Sequence, residues 1–191
     1  MAKGSKMIEA HIKALQAIGG KTAEAGWFES ARYKSTKPGE PGIQVAAIAR
    51  LQNYGGVIDH PGGTKYIRDA ATADEFLGTR FVKKDFQGEH EVTQPHQIVI
   101  PARPFMQLAW ANFSEQRKKI QEKIARDLVS GKITPDKALG QIAEALEGCI
   151  AKSIVKGNWQ ANAKSTIAKK GFDKPLVHSS FMLQSLTNNV F

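Results

Sequence analysis

At 191 residues, with 41% hydrophobic and 24% charged side chains, the chain is long enough to bury its own core and has the balance of an ordinary soluble globular protein. No apolar run approaches the roughly 20 residues of a membrane span, and the N-terminal MAKGSKMIEAHIKALQAIGG lacks an apolar stretch followed by a cleavage site, so the sequence predicts neither a membrane nor a secreted protein. The net charge of +9 invites a nucleic-acid partner, but its excess is uneven: Lys and Arg outnumber Asp and Glu by 12 to 6 over residues 113–170 and balance at 6 to 6 over 61–112.

In chain order, Met7, Ile8, Ile12, Leu15 and Ile18 have helical spacing, closed by Gly19-Gly20, and predict a short amphipathic helix over 5–18. AGWFESARY, 25–33, partly alternates and predicts a strand with Trp27, Glu29, Ala31 and Tyr33 on one side. KSTKPGEPG, 34–42, is a loop, and IQVAAIARLQNY, 43–54, predicts a helix burying Val45, Ile48, Ala49 and Leu51 before Gly55-Gly56. Residues 57–97 read as a β-rich excursion, with strand pieces at 64–68 and 79–84 and a final strand, 96–100, returning to the core. PARPF, 101–105, then opens a helix to about Val129, with Pro104 in its first turn. Thr134-Pro135-Asp136 supplies a cap, a proline and an acid for a second helix ending near Gly157. The pair predicts an antiparallel hairpin, with Phe105, Leu108, Trp110, Leu139, Ile142 and Leu146 in its core. Residues 158–191 read as a polar arm followed by an apolar patch. Cys149 is the lone cysteine, which excludes an internal disulfide, and it falls on an apolar helix face as a small buried hydrophobe.

No catalytic constellation emerges. His11, His60, His90, His96 and His178 are scattered, and Glu89, His90, Glu91 and His96 match no strong metal spacing. Ser179 and Ser180 follow His178 without a nucleophile elbow, and no phosphate-cradling glycine loop occurs. The sequence therefore predicts a protein that is not an enzyme and holds neither cofactor nor metal. Arg117, Lys118, Lys119, Lys123 and Arg126 spread around their helix rather than forming one stripe, with no recognition-helix or base-stacking signature.

Three stretches carry a resemblance. GWFESARY (26–33) with VAAIARLQNYGG (45–56), IVIPARPFM (98–106), and WQANAKSTIAKKGFDKPLVHSSFMLQSL (159–186) occur in the order found in phage tail-completion and virion-morphogenesis proteins of Mu-like and lambda-like phages, which the chain resembles. It departs from that pattern at two places: His178-Ser179-Ser180 stands where the family has Asp-Thr-Gly, and Gln52-Asn53-Tyr54-Gly55 where it has Asn-Glu-Phe-Gly.

The resemblance implies an α+β fold over 1–191: a small, mostly antiparallel sheet packed against helices, with the excursion at 57–97 and the C-terminal arm at 158–191. It also implies a homo-oligomeric ring, often of six subunits, at the head–tail joint, with neighbouring tail and head-completion proteins as partners. Such a protein is assembled in the host bacterial cytoplasm, resides in the virion at the tail or neck, and has genomic DNA passing through its ring. A tail terminator and a head-closure protein are the near alternatives, and a DNA-binding accessory protein is the alternative from another class. Arg103, Phe105, Trp159, Lys174, Pro175, Leu176, Phe181 and Leu183 are the candidate interface residues. Arg103 can bridge helix and sheet or reach a neighbouring subunit through its donor fork. The arm, too polar in its first half to offset its own ordering entropy, is expected to act as an assembly element whose removal leaves a folded subunit; the alternative is an intramolecular tail that covers its own sheet.

Overall fold

The structure is a computed structural model that describes residues 9, 12, 13, 16–35, 37–71 and 76–191. Its elements run β1 (Ala23–Gly26), α1 (Val45–Tyr54), β2 (Gly56–His60), β3 (Lys65–Ala71), β4 (Phe76–Phe81), β5 (Glu91–Val92), β6 (His96–Ile100), α2 (Phe105–Val129), α3 (Pro135–Lys156), α4 (Lys164–Lys170), α5 (Phe181–Gln184) and β7 (Thr187–Val190). The fold is α+β, with small antiparallel sheets and a helix hairpin. The chain divides into two compact units, Met1–Tyr54 with Ala102–Phe191, and Gly55–Pro101. The sequence reading has one domain with an excursion at 57–97; residues 55–101 form a unit of their own.

In the larger unit the hairpin forms where its local signals predict. Thr134 caps α3 by accepting the Lys137 N–H at 3.3 Å, Pro135 follows, and Asp136 lies in the first turn. The connection is short because Gly131, at φ 72°, turns the chain directly after α2. Phe105, Ala109 and Phe113 recur at four-residue spacing on the buried stripe of α2, and they meet Cys149, Ile150 and Ile154 of α3. Further along, Ile124 and Leu128 meet Ala138 in a second cluster. The start of α2 thus faces the end of α3, which makes the hairpin antiparallel.

Leu108 and Trp110 are not in this core. They are 37% and 55% exposed, because they flank Ala109 at about 100° to either side of the stripe. Phe105 and Leu139 are buried as expected, and Ile142 and Leu146 are half-buried against the two clusters. Cys149 is buried, and burial pushes its thiol pKa up, against a smaller opposing effect of Lys152.

The strand at the chain's beginning is shorter and earlier than 25–33. Ala23–Gly26 pairs antiparallel with Thr187–Val190, from Ala23 opposite Val190 to Gly26 opposite Thr187, and the sheet lies against α3. Beyond it the chain turns, with the Ala31 N–H on the Phe28 carbonyl, and Glu29 is exposed. The Tyr33 N–H donates to Ile43 and the Val45 N–H to Ala31, which closes the 34–42 loop at the start of α1. Gly42 is required there: a Cβ would stand 1.6 Å from the Tyr33 carbonyl oxygen. Helix α1 buries Val45, Ala49 and Asn53 at successive turns, while Ile48 and Leu51 are half-buried. Of the helix expected over 5–18, Met7, Ile8 and Leu15 lie outside the described residues; Ile18 packs beside the second cluster.

In the smaller unit, β2 and β6 form an antiparallel ribbon, and β3 pairs with β4 and β5. The strand at 96–100 thus pairs with β2, which the sequence reading leaves out, and Ile98 and Val99 are exposed.

The expected C-terminal arm requires the largest correction. Residues 164–170 are helical, Met182 and Leu186 are buried in the main core, and β7 is half of the sheet with β1. The stretch is part of the folding core. Truncation after Gly157 would uncover Val45, Phe105 and Ile154 and leave β1 unpaired. The truncated chain should therefore show no cooperative thermal transition, whereas Ile150→Ala in the full chain should keep one at a stability lower by about 2–5 kcal/mol; calorimetry on the two variants checks both.

Candidate assembly face

The larger unit resumes at Ala102, so Arg103 and Phe105, at the start of α2, belong to it. Arg103 is only 5% exposed. Its backbone N–H donates to the Gln52 carbonyl at 2.9 Å, its Nη1 to Gln52 Oε1 at 2.7 Å, and its Nε to the Gln160 carbonyl at 3.2 Å. Its fork therefore ties α1 to the chain beyond α3 within one subunit. Burial lowers its pKa, opposed by the charge of Asp173; the guanidinium nonetheless stays protonated. Beside it, Pro104 offers α2 no side-chain cap, and Asn53 takes that role from α1: its Oδ1 accepts the Met106 N–H at 3.0 Å. The Asn53 Nδ2 is buried with no partner, so this cap is kept at the cost of a desolvated donor.

The eight predicted interface residues separate into four groups. Arg103 and Phe105 are internal, Phe105 wholly so with its ring edge-on to Trp27 at 6.0 Å, and neither is available to a neighbour in this structure. Trp159 folds back over the end of α3, donating from Nε1 to the Ser153 carbonyl at 3.2 Å; its ring lies where a side chain on Gly157 would stand. Pro175, Leu176, Phe181 and Leu183 are half-buried, and Phe181 packs on Tyr33 with ring centroids 5.2 Å apart. The Tyr33 phenol is raised in pKa by the same burial. Lys174 alone is exposed.

What sequence reasoning missed is on the surface. Val57 and Ile58 on β2 face Val99 and Ile98 on β6, all four exposed by 40–69%. Met106 and Trp110, one helical turn apart on α2, are exposed as well. The β-branched runs in GVIDH and HQIVI suit strands but do not say whether a face is covered. Arg117, Lys118, Lys119, Lys123 and Arg126 are exposed along α2, with Glu115 and Glu122 exposed among them. Glu91, which the sequence groups with possible metal ligands, instead accepts from the Tyr66 hydroxyl at 2.5 Å and from Arg68 at 2.8 Å, and His96 stacks on His60 with centroids 4.9 Å apart. Among the described residues no group of three or more His, Cys, Asp or Glu side chains could hold a metal, and no helix is long and apolar enough to cross a membrane.

Set beside known proteins, the chain matches no family model, no curated protein and no solved structure.

The segment before α5 carries strain. Leu176 and Ser180 adopt the left-handed conformation at φ 62° and 59°. Ser180 is the position where the resembled family has glycine, and the turn forms without it: the Ser180 carbonyl accepts the Leu183 and Gln184 N–H groups at 3.0 and 2.9 Å. A left-handed L-residue costs roughly 1–2 kcal/mol, while glycine adds about 0.5–1 kcal/mol of unfolded-state entropy. Ser180→Gly should therefore stabilise the protein by roughly 0.5–1 kcal/mol, a Tm rise of about 1–4 °C for a chain of this size. Ser179→Gly, one residue earlier and not left-handed, should lower it; thermal melts of the two variants side by side check the sign.

Proposed function

We propose that this chain is a structural, non-catalytic assembly protein of a tailed bacteriophage, working at the head–tail joint as a tail-completion or neck-ring component. What supports this reading is the way the three stretches that carry the resemblance meet on one core. Trp27 of the first stretch contacts Phe105 of the second and donates from Nε1 to the Met182 carbonyl of the third at 2.7 Å. Tyr33 of the first lies on Phe181 of the third, and Arg103 of the second binds Gln52 and Gln160.

The exposed apolar pairs on β2–β6 fit a protein that works among neighbours, since a two-stranded ribbon with uncovered valines and isoleucines is marginal in water. In this proposal the subunits form a ring, hexameric as in the resembled family, between tail and head-completion proteins, and genomic DNA passes through it. The tail-terminator and head-closure roles are the nearest variants, distinguished by which half of the particle retains the protein. The exposed cations of α2 favour the DNA-binding reading as the second one; a steep fall of nonspecific duplex affinity with salt would support it.

Particles made without the protein should contain filled heads and complete tails that are not joined, as seen by electron microscopy of the lysate. A block in capsid assembly or DNA packaging would sink the proposal. Backbone amides of Gly56–His60 and His96–Ile100 should exchange more slowly in assembled particles than in the isolated protein; equal rates would show that the ribbon meets no neighbour.

A further inference from the structure

In the larger unit a cleft of about 1010 Å³ opens between the 33–43 loop, one flank of α1 and residues 162–182. Ile43, Ile48, Leu176, Val177 and Phe181 make its apolar lining, and Ile43 is 61% exposed. Its size is that of a ligand site rather than a packing flaw. The wall from Leu176 to Ser180 is held by two left-handed residues that are not glycine, a strain that persists only where the surrounding structure imposes it.

The charges of the cleft are unbalanced. Lys34, Lys37 and Lys170 line it, and the lining carboxylate, Glu40, is taken up by Lys37 at 3.3 Å. Asp173, whose charge acts on both Lys170 and Arg103, already accepts the Asn162 N–H and Nδ2 at 3.1 and 2.9 Å. Burial lowers the pKa of Lys170, and the positive Arg103 adds to that lowering against Asp173. The buried Arg103 in turn bonds to neutral acceptors, Gln52 and Gln160. Three lysines against one carboxylate leave the lining net positive beside its apolar side chains, and Lys170 donates to the Lys174 carbonyl at 2.6 Å and lies over the Phe172 ring, 4.9 Å from its centroid.

We propose that this cleft binds an extended acidic peptide segment of a neighbouring protein, with apolar side chains on Ile43, Val177 and Phe181 and carboxylates toward Lys34 and Lys170. Alternation along an extended chain supplies both kinds of group at once. A nucleic acid suits the cleft less well, because its sugar–phosphate chain carries no apolar side chains to lie on Ile43, Val177 and Phe181. A second copy docking here would show as self-association that depends on Ile43.

The test titrates the full-length protein into a fluorescein-labelled octapeptide, Leu-Asp-Leu-Glu-Ile-Asp-Leu-Glu, followed by anisotropy. The same peptide with lysine in place of every acid and a single-stranded oligodeoxynucleotide run alongside. The acidic peptide should bind and the lysine peptide should not. Affinity should fall at least tenfold in Ile43→Glu and in the Lys34→Glu/Lys170→Glu double variant. Ile43 and Lys34 are exposed, so Ile43→Glu and a Lys34→Glu single variant keep the fold, which unchanged melting verifies. Three results would each overturn the proposal: no binding of the acidic peptide, oligonucleotide binding with the same losses in the variants, or wild-type self-association in sedimentation that Ile43→Glu abolishes. Because the isolated protein is the reagent, the outcome does not depend on service at a head–tail joint.

Discussion

Phe105 is fully buried at the first turn of α2, and the residues on either side of it are held by α1. A helix start buried against another element needs acceptors for its free N–H groups. Pro104 supplies none, so Asn53 reaches across from α1 to the Met106 N–H, while Gln52 binds Arg103 through both its carbonyl and its side chain. These bonds fix where α1 crosses the start of α2. Trp27 then closes on the Phe105 ring, and its indole N–H binds the Met182 carbonyl. A single aromatic side chain is thus enclosed by segments drawn from the chain's beginning, middle and end. Loosening any of them exposes Phe105 and the apolar groups around it.

That dependence explains which parts of the fold were legible in the sequence. The hairpin was readable because its signals are local: Thr134, Pro135 and Asp136 open α3 as capping chemistry requires, and Gly131 closes the turn. The role of residues 158–191 was not, since neither Met182 nor Leu186 sits in a periodic stretch and the strand they lead to, TNNV, is polar. Only its pairing with β1, more than 160 residues away, makes it a strand. Leu108 and Trp110 misled for the opposite reason: hydrophobicity marked them as core, but the stripe passes through the small Ala109 between them. Of the predicted interface set, Arg103, read as bridging within the fold or reaching a neighbour, is an internal clamp, and the cleft left no local signature because it is made from two distant stretches, 33–52 and 162–182.

Ser180 shows how such a core tolerates a poor local choice. The left-handed turn needs glycine for its own sake, yet the turn forms with serine because it leads directly into Met182 and Leu186. Burying a side chain of that size is worth roughly 1.5–3 kcal/mol, which exceeds the roughly 1–2 kcal/mol cost of one left-handed residue.

The β2–β6 ribbon of the smaller unit obeys a different balance. Val57 opposite Val99 and Ile58 opposite Ile98 alternate to its two faces, so either face keeps apolar side chains in water. Its two strands also leave outer edges whose backbone groups have no third strand among the described residues. A sheet can lose its edges by closing on itself or by pairing with a neighbour; two strands are too few for the first. Repetition around a ring would supply the second, covering the apolar pairs and the edges together in every subunit. The larger unit has a core of its own, built on Phe105, and needs no such help. If the chain assembles as proposed, the larger unit makes each subunit a folded part, and the ribbon's exposed apolar pairs are the surface a neighbour would cover.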